Sequence, residues 1–247
     1  MIVLVDADTI YYKAAFRLKK NEIRKSIDST MLDIEAQCFA ESMRVAVKGH
    51  GNFRKDLYPN YKAQRPALED DMRAALNYGH QYMIDKYDAV KADGMEADDL
   101  VCIWAYEARE MEIPYIIAGI DKDLKQIPGN HYNFNKQVHE FVDDDTANLN
   151  LMLQCLTGDT SDNIPGIKGI GPKKAAKILS GIPMVRRWPR VRTTWSSHGA
   201  GCPKLSRRLL TMLKSFDELE EIRKECEQKK TDDSTRGKSS SELTASP

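Results

Sequence analysis

Two short apolar runs constrain this chain more than any other feature. Ile2-Val3-Leu4-Val5 stops at Asp6, and Tyr115-Ile116-Ile117-Ala118 leads directly to Asp121 and Asp123. Uninterrupted apolar runs of this length suit strands covered on both faces, as in a parallel sheet. Elsewhere the apolar spacing is helical. It predicts helices over residues 8–18, 28–43 (Met31, Ile34, Cys38, Met43), 97–111 (Leu100, Trp104, Met111) and 146–156 (Leu149, Met152, Leu153, Leu156). Val45, Val47 and Phe53 suggest a second strand and its exit. Residues 131–142 suggest a hairpin, and the polar stretch 66–92 one or two exposed helices with no strand. Strands alternating with helices predict an α/β fold with a central, mainly parallel sheet flanked by helices. Ligands of such sheets gather at the C-terminal ends of the strands, where these aspartates lie.

The acids fall in close sets: Asp6 with Asp8; Glu96, Asp98 and Asp99; Asp121 with Asp123; Asp159 with Asp162. Two carboxylates ~4 Å apart repel by roughly 4 kcal/mol at an effective dielectric of about 20. Several converging carboxylates need raised pKa values or divalent cations. Oxygen-only ligation favours Mg²⁺ or Mn²⁺ over zinc, and two such ions suit phosphodiester cleavage. Any one set alone reads better as ordinary surface acids, and it is the four together, two of them just after apolar strands, that point to a metal site. Asp143-Asp144-Asp145 reads as a loop and helix cap.

Net charge is zero, but it is unevenly spread. Residues 1–167 carry 28 acids and 19 bases, residues 168–214 carry 12 Lys/Arg and no acid, and residues 215–247 carry 9 acids and 6 bases. The basic stretch suggests contact with a polyanion, or else a solvated basic face. Five scattered cysteines (Cys38, Cys102, Cys155, Cys202, Cys226) form no CxxC pair, which argues against a zinc site or disulfide framework and for a reduced, cytoplasmic setting. No apolar run approaches a membrane span of ~20 residues, and MIVLVDAD lacks the basic start of a signal peptide.

Within TGDTSDNIPGIKGIGPKKAAKIL (157–179), Gly166, Gly169 and Gly171 precede Pro172 and a helix bearing Lys173, Lys174 and Lys177, with Lys168 inside the turn. Glycines admit a phosphate to backbone N–H groups, and the helix start adds positive dipole. Such contacts are sequence-independent. A Gly-rich connection with no ligand is the plainer alternative.

Taken together, these motifs resemble the 5′-nuclease superfamily of phage 5′→3′ exonucleases, flap endonucleases and the 5′-nuclease domain of bacterial DNA polymerase I. The resemblance rests on VDAD (5–8), NFRKDLYPNYKAQR (52–65), GMEADDL (94–100), IDKDLKQI (120–127) and LTGDTSDNIPGIKGIGPKKAAKIL (156–179), and it covers residues 1–180 in order. It implies a PIN-like core over 1–156, with a helical arch at about 62–92. A helix–three-turn–helix subdomain would follow over 157–216, then a helix end and disordered tail over 217–247. Asp6, Glu96, Asp98, Asp99, Asp121, Asp123, Asp159 and Asp162 would hold two or more Mg²⁺ or Mn²⁺ ions. Lys62 and Arg65 would contact the scissile phosphate. Tyr61 would stack on a base or pack on the arch, and Arg54 would touch phosphate or lie on the surface. Residues 164–179, including Gly166, Lys168, Gly169, Gly171, Lys173, Lys174 and Lys177, would grip the duplex, with K⁺ at the turn. The implied partners are DNA with a 5′ flap, nick or free 5′ end, and RNA–DNA hybrids. The protein would act as a monomer in replication or primer removal, away from membranes.

Two departures stand out. Many members of the superfamily carry an acid after the second strand, where this chain has Val47-Lys48-Gly49-His50-Gly51. His50 would substitute, or be a plain loop residue. Residues 182–204 lack apolar periodicity and suggest an insertion or frame-shifted segment that is poorly packed or disordered, although Trp188 and Trp195 among arginines would suit nucleic acid. The rivals are a catalytically impaired DNA-binding module and a small-substrate phosphoesterase using the same acids.

Overall fold

The computed structural model describes residues 1–201 and 203–241, with side chains through residue 228. Six strands form one sheet in the order β3-β2-β1-β4-β5-β6. They are β1 (Ile2–Asp6), β2 (Ser42–Lys48), β3 (Val90–Ala92), β4 (Tyr115–Ala118), β5 (Gly129–Asn133) and β6 (Val138–Val142). All pairings are parallel except β5–β6, the expected hairpin. Side chains alternate faces along β1. Val3 and Val5 enter the core under α1 (Asp8–Ala15), α2 (Lys20–Cys38) and α4 (Asp70–Tyr87), while Leu4 enters the core under α5 (Ala97–Glu110) and α10 (Phe216–Ser241). Both faces are therefore covered, which explains why β1 and β4 lack a polar residue at alternate positions.

Register sets the site. Asp6 pairs with Ala46, and Val5 with Ala118, so β1, β2 and β4 end at one edge. α3 (Phe53–Leu57) follows β2, and a 3-10 turn (Asp123–Gln126) follows β4.

A third core joins α6 (Asp144–Thr157), α7 (Pro172–Leu179), α8 (Met184–Ser197) and α9 (Pro203–Leu210), and it includes Tyr61. A short ladder, β7 (Gly158–Asp159) with β8 (Ile164–Pro165), folds the chain between α6 and α7. At Gly166 a Cβ would lie 2.1 Å from the Thr157 carbonyl carbon, so backbone meets backbone there.

The structure corrects three expectations. The 66–92 stretch holds one helix, α4, packed on α1 and α2 through Ala75, Gly79 and Met83, and it ends in strand β3. β3 has only three residues, two of them exposed, so no apolar run announced it. Residues 184–197 are a packed helix: Val191 and Trp195 are buried and the Trp195 indole N–H donates to the Cys155 carbonyl at 2.9 Å. A buried arginine replaced the expected aliphatic position, hiding the helical period. In place of the expected tail, α10 runs to Ser241. The last six residues of the tail expectation, 242–247, and Cys202 lie outside the described residues. The other four cysteines are free and buried. Among the described residues no helix is long and apolar enough to cross a membrane.

Candidate active site at the sheet edge

Asp6 ends β1 and is buried, with one carboxylate oxygen accepting the Asp8 N–H at 3.2 Å. Burial, then Asp8, then Asp121 and Glu96 push its carboxyl up to about 8, against the pull of that backbone N–H. Asp98, in the first turn of α5, is likewise held well above the usual carboxylate range by burial, Asp99 and Glu96. Asp123 is raised to about 6 by burial and Asp121, and accepts from the Gln154 amide. These shifts have mutual causes, so Asp6, Glu96, Asp98, Asp121 and Asp123 share one field along the strand ends.

A second group of acids is neutralised internally. The Lys62 ammonium pairs with Glu96 and lies 3.5 Å from Asp162. Arg65 donates to Asp162 at 2.9 Å, and Lys122 to the buried Asp159 at 2.7 Å. Glu96 is pushed up by burial, but Lys62 and Arg54 outweigh this and hold it below its ordinary value. Asp159 is held down in the same way, by Lys122 and by the Ser161 and Asp162 N–H groups against burial. With these cations interleaved, no three Asp, Glu, His or Cys among the described residues stand close enough to enclose one ion. The donor set is nevertheless all carboxylate oxygen, with mutual repulsion and burial that a hard cation would relieve, and it fits divalent ions of the magnesium class.

Two signature loops are fastened together. The Lys62 backbone N–H donates to the Asp162 carbonyl at 3.0 Å, with Lys62 in the left-handed region (φ 55°). Gln64 donates to the Thr160 and Ser161 carbonyls (2.8 and 3.2 Å), and Asn163 donates to the Asn60 carbonyl (2.8 Å). Residues 60–65 therefore cannot move independently of 159–163. A strained backbone at Lys62, costing of order 1–3 kcal/mol, persists because the hydrogen bonds around it over-determine it.

Four site expectations are corrected. Arg54 is not at the surface. It is 3% exposed, and its guanidinium donates to Asp99 at 2.5 and 2.8 Å, to the Leu209 carbonyl at 2.8 Å and to the Thr211 carbonyl at 3.3 Å. Asp99 is fully buried and also accepts the Glu96 and Leu213 N–H groups, which leaves it no room to be a metal ligand. Tyr61 is 2% exposed and cannot stack on a base. Its single O–H is shared between Glu96 (2.7 Å) and Asp162 (2.9 Å). Gly166 serves chain packing, whereas Gly169 (φ 82°) and Gly171 have open space where a Cβ would sit. Lys168, Lys173, Lys174 and Lys177 are exposed around that turn.

The loop after β2 has no space for an acid at position 49, where a Cβ would lie 2.5 Å from the Ala92 carbonyl carbon and from Asp93 Oδ1. His50 is an exposed loop residue beside Asp93. Instead Asp8 reaches the end of β2 and accepts the Lys48 N–H at 2.8 Å. Two further polar side chains, Lys122 and Gln154, stand at the site. Lys122 was legible, standing between Asp121 and Asp123, whereas Gln154 on α6 carried no signal. Asp143 caps α6 as expected, accepting the Thr146 N–H at 2.7 Å.

The model of the 5′–3′ exonuclease N-terminal resolvase-like domain matches residues 1–150. DNA polymerase I of Pseudomonas aeruginosa is 28% identical over 207 residues, which are 73% of this chain and 22% of that protein. Flap endonuclease Xni of Shewanella sp. strain MR-4 is 30% identical over 139 residues, 52% of this chain and 53% of that protein. The chain thus spans about a fifth of the one relative and about half of the other. Among solved structures, T5 5′-exonuclease with divalent zinc bound superposes with a TM-score of 0.67 at 19% identity, covering 92% of this chain and 98% of that one. The catalytic core of Rad2 in complex with DNA gives 0.51 at 15% identity, covering 90% and 85%. These structural likenesses show a shared fold. With the family model spanning the whole sheet and Asp6, Glu96, Asp98, Asp121 and Asp123 at its edge, the chain belongs to the 5′–3′ exonuclease N-terminal domain family, within the 5′-nuclease superfamily.

Proposed function

We propose that the protein is a divalent-metal-dependent 5′-nuclease that hydrolyses DNA phosphodiesters as a 5′→3′ exonuclease and flap endonuclease. The observation that supports this best is the fastening of Tyr61-Lys62-Ala63-Gln64-Arg65 onto Glu96 and Asp162. Acids from one side and cations from the other meet at the sheet edge where α/β folds bind ligands. Asp6, Asp98, Asp121 and Asp123, with Glu96, Asp159 and Asp162, would hold the ions. When bound, Mg²⁺ or Mn²⁺ supplies charge neutralisation at the phosphoryl group and a nucleophilic water at neutral pH. Lys62 and Arg65 can exchange a carboxylate partner for phosphoryl oxygens and stabilise charge as it develops there. Tyr61 holds Glu96 and Asp162 in fixed relation.

The exposed glycine turn, with Lys168, Lys173, Lys174 and Lys177 around Gly169 and Gly171, would grip duplex backbone, with K⁺ at the turn. On this reading residues 157–216 are the duplex-binding unit, and residues 62–69 with the start of α4 take the place of the arch. RNA–DNA hybrids are a further substrate class, consistent with primer removal.

Single-turnover cleavage of a 5′-flap substrate tests this. Wild-type protein should cut with Mg²⁺ and not with chelator. Lys62→Ala should slow cleavage by about 10²–10³, or ~2.7–4 kcal/mol for one lost charge-stabilising donor. Its substrate Kd should stay within about threefold, because one phosphate contact is a small part of duplex binding. Binding without product at any Mg²⁺ or Mn²⁺ concentration would support the DNA-binding module instead. An unchanged rate in Lys62→Ala would remove Lys62 from the reaction.

A further inference from the structure

The acidic edge is lopsided about Asp6. On one side the chain leaving β4 supplies Asp121 and Asp123. On the other side β2 runs out into Lys48-Gly49-His50, which holds no acid, and position 49 has no room for one. A carboxylate stands there nonetheless, and it comes from β1. Ala7 stays against β2 for one residue past its own strand, its N–H donating to the Ala46 carbonyl at 3.0 Å. α1 then opens at Asp8, whose side chain crosses to the end of β2.

Three features of Asp8 point to a cation. Its Oδ1 accepts the Tyr11 hydroxyl and the Lys48 N–H, both at 2.8 Å, while its Oδ2 accepts no hydrogen bond among the described residues and is not sealed from solvent. The Asp8 N–H donates to Asp6 Oδ1 at 3.2 Å, so the two carboxylates hold a fixed relation. Third, a neutral amide oxygen would accept from Tyr11 and Lys48 just as well in number, so the negative charge is what the fold has to account for. Burial pushes the Asp8 carboxyl up, Tyr11 and Lys48 pull it back, and Glu96 adds to the rise. Asp8 is in turn the largest charge acting on Asp6. Carboxylates that repel in this way stay ionised together when a cation joins them.

We propose that Asp8 is a further ligand of the divalent-ion site, supplying through Oδ2 the carboxylate that β2 cannot, on the β2 side of Asp6. Tyr11 acts through Asp8 and is a positioning residue: its hydroxyl and the Lys48 N–H hold Oδ1, which leaves Oδ2 for the ion. The inference rests on the metal-dependent reading above and adds a residue that reading leaves out. Hard oxygen donors of this kind suit Mg²⁺ and Mn²⁺.

The test is Mn²⁺ binding without substrate, followed by the loss of the free-ion EPR signal, with urea unfolding in chelator as the check on the fold. Asp8→Asn keeps an oxygen for both donors and removes only the charge. It should weaken Mn²⁺ binding by at least the tenfold to hundredfold typical of losing an outer-shell partner, or about 10–100-fold. Its urea midpoint in chelator should stay at or above the wild-type value, because the repulsion with Asp6 is gone. Tyr11→Phe keeps the charge and removes one donor, so it should lower the urea midpoint and weaken Mn²⁺ binding less than Asp8→Asn does. Mn²⁺ affinity in Asp8→Asn equal to wild type, or reduced no more than in Tyr11→Phe, would overturn the proposal and leave Asp8 as a tie between α1 and β2. Wild-type protein that binds Mn²⁺ but does not cut DNA overturns the nuclease reading alone, and the Asp8 comparison still decides the ligand. Failure of the wild type to bind Mn²⁺ at all overturns both.

Discussion

At the sheet edge, carboxylates outnumber cations, yet Lys62, Arg65, Lys122 and a shared tyrosine O–H are threaded between them. Across residues 168–214 the imbalance is reversed and far larger, and only Arg187 and Arg208 have a described carboxylate partner. The difference lies in burial. The acids sit in a crevice where charge is costly to leave uncompensated, so the fold neutralises them with its own cations or leaves them protonated. Most lysines and arginines of the helical region stand in water, which screens their repulsion. One region is closed on itself, and the other is open.

The largest expected effect comes from the joint between them. Arg54 and Asp99 connect the start of α5 with the end of α9, and both are buried. Arg54→Met should cost about 3–5 kcal/mol in urea unfolding, because it leaves an unpaired buried carboxylate. Arg54→Met with Asp99→Leu should recover part of that loss, since the charge is gone but the Glu96 and Leu213 N–H groups lose their acceptor. If the double variant is no better than the single, the two regions are not joined through this charge pair.

Asp6 gives the next effect, and its sign separates the regions. The folded carboxyl keeps its proton up to about pH 8, whereas the unfolded chain loses it near 3.8. Between those values the folded state binds the extra proton, so the metal-free fold should lose stability as pH rises from 4 to 8. The ceiling is ~1.4 kcal/mol per pH unit for one proton. Asp6→Asn should flatten this slope and be about 2 kcal/mol more stable than wild type at pH 8 in chelator. Saturating Mg²⁺ should flatten the wild-type slope too, by favouring the ionised form. An equally steep slope in Asp6→Asn would place the burden on other carboxyls.

How much of this was legible depends on what each residue type announces. β1 and β4 were plain, because a sheet covered on both faces requires unbroken apolar runs. The acids were legible as sets, because strand ends and helix starts place them by spacing alone. Which acids are free to bind an ion was not, since Asp98 and Asp99 are adjacent and differ only in which way the first turn of α5 points them. Arg54 and Tyr61 were misread for a related reason. A buried polar side chain looks like a surface one until its partner is known, and their partners lie 45 and 101 residues away. α8 was hidden because Arg187 stands where an aliphatic residue would have shown the period.

That same helix gives the smallest and most exacting test of the comparison. If the basic region is open by design, removing an unpaired arginine should hardly change stability, while disturbing the buried, paired Arg187 should. Asp145→Asn keeps an oxygen for the Arg187 guanidinium but removes its charge, and the Asp145 side chain is 60% exposed, so water softens the loss. The expected cost is about 1 kcal/mol, below the ~1.5–3 kcal/mol usual for a hydrogen bond to a charged group. Arg186→Ala, one position earlier and exposed, should stay within about 0.5 kcal/mol of wild type. Urea midpoints at low and moderate salt resolve both. Equal losses in the two variants would mean that the exposed arginines also stabilise the fold, and the contrast between a closed acidic edge and an open basic face would fail.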